Sequence, residues 1–138
     1  MPLEPYPAEI PRRALVVDDD PFLCAMFSEL LAEHGFKAHV FHSSQEVLAG
    51  LNGDSYSLAF IDVNLPGMDG LELAEKLKEY GCVRDLVFMS GGGTFDHLVK
   101  AIKLGAQDYL KKPFGVSELR LLLNRHQQRT EMREQLES

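Results

Sequence analysis

Three aspartates in a row, Asp18-Asp19-Asp20, follow the apolar run Ala14-Leu15-Val16-Val17, and another, Asp62, closes the run Leu58-Ala59-Phe60-Ile61. Ser90 ends a third run, Leu86 to Met89, and Lys112 stands just past Tyr109-Leu110 and directly before Pro113. If these run ends meet in space, carboxylates gather within a few ångströms of one another. Two like charges ~4 Å apart repel by about 4 kcal/mol at an effective dielectric of ~20. Such a cluster shifts its proton affinities or takes up a cation. A small set of hard oxygen ligands suits Mg²⁺, which keeps several waters and accepts one or two carboxylates plus phosphate oxygens. A lysine ammonium offers a point charge to a phosphoryl group. One carboxylate can then act as nucleophile toward phosphorus and form an acyl phosphate. Positioning and charge neutralisation do most of the work in such transfers.

Plainer readings stand beside this one. Asp20 before Pro21 is a helix N-cap followed by proline at the first helical position. A lone aspartate after a strand is commonly a turn former, and Lys111 reads as a solvated strand residue.

The elements that must position these residues alternate with some regularity. Four-residue apolar runs fit strands covered on both faces. Strands are predicted at 14–17, 37–41, 58–61, 86–89 and around Tyr109-Leu110. Between them, Leu23, Met26, Phe27, Leu30 and Leu31 recur at helical spacing, with Gly35 as terminator. Ser43-Ser44-Gln45-Glu46 has capping-box character before a short helix to about Leu51. Further helices are predicted at 71–80, closed by Gly81, at 95–104, closed by Gly105, and from about Ser117 to Arg125. Five strands alternating with five helices call for an α/β fold, a doubly wound parallel sheet. Ligands of such sheets collect outside the carboxyl ends of the strands, where the aspartates, Ser90 and Lys112 fall.

Of 138 residues, 45% are hydrophobic and 25% charged, enough for one ordinary core. The net charge of −7 argues against direct binding to nucleic acid or an anionic membrane. No apolar run approaches the ~18 residues of a membrane span, and the N-terminus lacks a secretory signal core, so a cytoplasmic location is expected. Cys24 and Cys82 match no metal spacing and read as buried free thiols. Residues 1–11, with Pro2, Pro5, Pro7 and Pro11, read as an extended or disordered arm. The body is assigned to 12–126, and 127–138 to a polar helical tail or linker.

Taken in order, V-V-D-D-D (16–20), D-V-N-L-P-G-M-D-G (62–70), F-M-S-G (88–91), L-G-A-Q-D-Y-L (104–110) and K-P-F (112–114) resemble the receiver domain of two-component response regulators. The resemblance covers about Arg13 to Arg125. It implies a flavodoxin-like fold with strand order 2-1-3-4-5 and Asp62 as phosphoacceptor. It implies Mg²⁺ held by Asp18, Asp19 and Asp62 and by the backbone carbonyl of Asn64, whose side chain sits where attacking water passes. Lys112 matches the family lysine, with a cis Lys112-Pro113 bond; Ser90 matches the switch hydroxyl and Tyr109 the aromatic residue that swings inward. The implied partners are a sensor histidine kinase or phosphotransfer protein, and a downstream protein or linked output domain. A phosphorylation-dependent homodimer is a further possibility, and the output face comprises 95–104, 108–111 and 117–125. The domain is not expected to be an enzyme beyond its own phosphoryl transfer and autodephosphorylation.

Two departures stand out: Cys24-Ala25, where the family often has a polar residue, and the triplet Gly91-Gly92-Gly93, read as a mobile hinge using glycine's free φ/ψ. The enzymatic rival, a Mg²⁺-dependent aspartyl-nucleophile phosphatase, needs threonine or valine where Phe22 stands and leaves Asp62 and Lys112 without a role. A flavodoxin-like flavin carrier would need a phosphate-cradling loop where the carboxylates stand. His34, His39, His42, His97 and His126 show no ligand spacing and read as surface or partly buried. The tail fits either a stand-alone receiver or the start of a signalling helix, with Met132 and Leu136 on a seam.

Overall fold

The computed structural model describes residues 12–137, so the arm expected over 1–11 lies outside the described residues. Alternation along each strand sorts the apolar side chains into two cores. Ala14, Val16, Leu58, Phe60, Val87 and Met89 point to one face of the sheet, and Leu15, Val17, Ala59, Ile61, Leu86 and Phe88 to the other. Burial on both sides is why these strands read as continuous apolar runs.

The chain runs β1 (Arg13–Val17), α1 (Pro21–Glu33), β2 (Lys37–Phe41), α2 (Ser44–Gly50), β3 (Tyr56–Asp62), α3 (Gly70–Tyr80), β4 (Val83–Ser90), α4 (Phe95–Lys103), β5 (Asp108–Lys111) and α5 (Val116–Glu137). All four strand pairings are parallel and the order is β2-β1-β3-β4-β5. Helices α1 and α5 cover one face through Phe27, Leu30, Leu31, Leu119, Leu122 and Leu123. The other face meets Val47 of α2, Leu71, Leu73, Ala74 and Leu77 of α3, and Ala101 of α4.

The predicted caps are present. The Asp20 carboxylate accepts the amides of Phe22 and Leu23, and the Ser43 hydroxyl accepts that of Glu46. Gly81 closes α3 in the left-handed conformation at φ +68°.

The two largest departures from the expected boundaries are in β4 and α5. β4 starts at Val83, not Leu86, because Asp85 interrupts the apolar run yet stays inside the strand. Helix α5, expected to lose its packing near Arg125, continues to Glu137, held at its distal end by polar contacts. His126 is also buried to 3% exposure, where a surface or partly buried histidine was expected.

Candidate functional site

Strands β1 and β3 are neighbours in register, Val17 beside Ile61, so Asp18 and Asp62 emerge side by side at their carboxyl ends. The Asp18 amide donates to the carbonyl of Phe41, which extends the β1–β2 ladder past the last strand residue. Its carbonyl is held by Cys24 Sγ at 3.4 Å and by His42 Nδ1 at 3.1 Å, a contact in which Nδ1 carries the proton. Burial, with the charges of Asp18, Asp20 and Asp19 adding to it, pushes the Cys24 thiol up to about 11. Cys24 is therefore a protonated donor that braces the site. That is what this chain has at one of the two positions where the family often has a polar residue.

One oxygen from each of Asp18, Asp19 and Asp62 lies within 4.8 Å of the others. Exposure is graded: Asp18 and Asp62 are buried and Asp19 faces solvent. Lys112 spans the two buried carboxylates, donating from Nζ to Asp18 Oδ2 at 2.6 Å and to Asp62 Oδ2 at 2.9 Å. The Lys112-Pro113 bond is cis. Burial pushes the Asp18 carboxyl up against the opposing pull of Lys112 and the Asp20 amide. Burial alone would lower Lys112, but its hydrogen bonds to two carboxylates outweigh it, and the ammonium is stabilised. The asymmetry has a simple cause: Asp18 has no exposed surface, while Lys112 answers two anions at once.

The remaining oxygen of Asp62, Oδ1, accepts the Asn64 amide at 2.9 Å. Asn64 also makes a contact that sequence reasoning missed: its Nδ2 donates to Ser90 Oγ at 3.3 Å. Ser90 Oγ accepts the Gly92 amide as well, at 3.3 Å. With both lone pairs engaged, the serine proton remains to be given away.

Two glycines carry packing roles at the site. A Cβ on Gly70 would overlap the Asp62 carbonyl oxygen, so the first residue of α3 lies directly against the backbone of the nucleophile candidate. The fixed spacing Asp62–Gly70 was the available signal. A Cβ on Gly93 would overlap the Tyr109 hydroxyl and approach Ser90 Oγ to 3.1 Å. Gly92 has open space around it, and none of Gly91, Gly92 or Gly93 takes a positive φ. Gly93 thus supplies room, and none of the three supplies left-handed geometry. The Tyr109 hydroxyl is buried there without a hydrogen-bond partner. Phe22, in the place a phosphatase motif would fill with threonine or valine, points to solvent at 86% exposure.

The chain is thus a doubly wound parallel α/β protein with an acidic pocket, bridged by a lysine, at the carboxyl ends of its strands. The family model described as response regulator receiver domain matches residues 14–124, and the chain belongs to that family. It is 35% identical over 108 residues to the transcriptional regulatory protein FixJ of Bradyrhizobium diazoefficiens, covering 78% of this chain and 53% of that protein. It is 36% identical over 104 residues to the response regulator protein TodT of Pseudomonas putida, covering 75% and 46%. The chain spans about half the length of the curated relatives it matches. Among solved structures, NtrX from Brucella abortus superposes with TM-score 0.79 at 28% identity, over 93% of this chain and 29% of that one. The signal receiver domain of a Luxo repressor protein from Vibrio parahaemolyticus shares the fold, with TM-score 0.79 at 19% identity, over 94% and 99%. Receiver domains of this family bind Mg²⁺ at an acidic pocket, and Asp18, Asp19 and Asp62 form such a pocket here. Among the described residues, no helix is long and apolar enough to cross a membrane.

Proposed function

We propose that Asp62 is the phosphoacceptor of a two-component relay. The observation that carries this reading is Lys112, held between Asp18 and Asp62 on the neighbouring strand ends. A carboxylate oxygen of Asp62 attacks phosphorus, the bond from phosphorus to the donor breaks, and its electron pair leaves with the donor. For a phosphohistidine the leaving group is the imidazole of a sensor kinase or phosphotransfer protein. Lys112 then has a phosphoryl oxygen to bond in place of Asp62 Oδ2, and Ser90 has a proton to give to another. Mg²⁺, when bound by Asp18, Asp19, Asp62 and the Asn64 carbonyl, neutralises charge on the carboxylates and the phosphoryl oxygens.

Ser90 and Tyr109 form the two-state element that the phosphoryl group biases. Drawing Ser90 toward Asp62 breaks its contacts with Asn64 and Gly92. The Tyr109 ring, already lodged beside Gly93, follows. The responding face is α4–β5–α5, where Phe95, Ile102 and Leu121 are exposed beside Lys100, Lys103 and Lys111. The names of the relatives support a transcriptional output delivered by an attached module or by a partner protein, with homodimerisation on phosphorylation as one route. The acidic net charge supports a reading in which DNA contact falls to that module or partner. A cytoplasmic location fits that role.

Amide NMR with Mg²⁺ and beryllofluoride tests the switch. The account expects shifts at Asp62, Ser90 and Lys112 accompanied by shifts across α4 and β5. Changes confined to the acidic pocket would count against it.

A further inference from the structure

Asp85 is a carboxylate where a strand buried on both faces has no use for one. It is the third residue of β4, only 2% exposed, and lies on the same side of the sheet as Val87 and Met89, facing α5. Arg133 meets it with both terminal nitrogens, Nη1 to Oδ2 and Nη2 to Oδ1, each at 3.0 Å. His126 Nδ1 lies 3.3 Å from Oδ2, misdirected for a hydrogen bond, and the His126 ring packs against Phe36 at 5.9 Å between centroids. Nearby, Arg129 keeps Nε and Nη2 buried with no partner.

These residues continue one stripe. Leu119, Leu122, Leu123 and His126 face the sheet, and Arg133, two turns past His126, shares that face. The stripe changes chemistry and does not end. A bidentate arginine on a buried carboxylate fixes orientation as well as distance, and removing one partner leaves an uncompensated charge in the interior.

We propose that Asp85 is a latch which fixes the distal half of α5, residues 127–137, to the base of β4. That strand carries Ser90 at its other end, so the position of the helical arm is set by the strand that holds the switch hydroxyl. Asp85 and Arg133 are positioning residues for the arm and touch nothing in the acidic pocket. The transmission half of the proposal rests on the phosphoacceptor reading above; the latch does not.

Hydrogen–deuterium exchange on the full chain tests both halves. In the wild type, amides of 127–137 are protected. Arg133→Ala and Asp85→Asn each raise exchange there by about tenfold or more, the scale of a local opening freed by one lost anchor, and leave 116–125 near wild type. Arg133 is on the surface side of the pair, so Arg133→Ala remains informative should Asp85→Asn fail to fold. Wild-type amides that already exchange freely, or variants that change nothing, overturn the latch. With Mg²⁺ and beryllofluoride the wild-type arm changes its exchange and the Arg133→Ala arm does not, although Asp62 is occupied in both. A response retained in Arg133→Ala overturns the transmission. A protein that takes up no beryllofluoride refutes the phosphoacceptor reading and the transmission with it, and the latch is then decided by exchange in the two variants alone.

Discussion

Gly93 and Tyr109 are complementary in shape: the space a Cβ would fill on Gly93 is occupied by the Tyr109 hydroxyl. The tyrosine is thereby lodged in the loop that follows Ser90, and a stretch that looks merely loose in sequence forms a socket.

Gly93→Ala should expel the ring. The overlap is with the far end of a side chain that can rotate, so the stability loss belongs at the low end of the about 1–3 kcal/mol typical of overpacking. Fluorotyrosine NMR should report a solvent-exposed Tyr109. Gly92→Ala, with open space around it, should change neither the Tyr109 signal nor the denaturation midpoint.

Gly70→Ala meets backbone and cannot be relieved so easily. Its Cβ would overlap the Asp62 carbonyl oxygen and press on Ile61. Urea unfolding should show a loss at or above the upper end of the same ~1–3 kcal/mol range, with phosphoryl uptake reduced because the Asp62 backbone has moved.

Lys112→Ala removes the cation shared by two buried carboxylates. Breaking a buried pair by deleting one partner costs about 3–5 kcal/mol. Lys112 is partly solvated, so the lower part of that range is expected. Added Mg²⁺ should restore more stability to this variant than to the wild type, measured as the shift in Tm. The variant should still accept a phosphoryl group, slowly, and fail to shift α4 and β5.

His126 titrates in acid. Burial, opposed by Asp85 and reinforced by Arg129, Arg133 and Arg84, holds its imidazole down at about 4, against an ordinary value of 6.5. Between those values the unfolded chain binds the extra proton and the folded one does not, so acid favours unfolding. Stability should fall as pH drops from about 6.5 toward 4, and His126→Leu should flatten that part of the profile, followed by chemical denaturation across pH.

Much of this was legible in the sequence because the strands are buried on both faces. Unbroken apolar runs located β1, β3 and β4, and the residues that end them marked the pocket. Asp20 declared itself as a cap through Pro21. What escaped depended on contacts distant along the chain. Asp85 breaks an apolar run, so β4 was read three residues short, and its partner Arg133 lies 48 positions away. The polar stripe beyond Leu123 has no apolar period, so the sequence leaves 127–138 as either a helical tail or a linker, and the structure continues α5 to Glu137. The Asn64–Ser90 hydrogen bond joins residues 26 apart. The glycine triplet reads as a hinge from composition alone, and the space that Gly93 leaves for the Tyr109 hydroxyl depends on a residue from another strand.

The central claim is that Asp62 is the residue phosphorylated. Incubation with Mg²⁺ and a small-molecule acyl phosphate, followed by intact-protein mass spectrometry, tests it most directly. The account predicts one acid-stable, base-labile phosphoryl group on the wild type, not formed when the metal is chelated beforehand and absent from Asp62→Asn. Undiminished labelling of Asp62→Asn would contradict it.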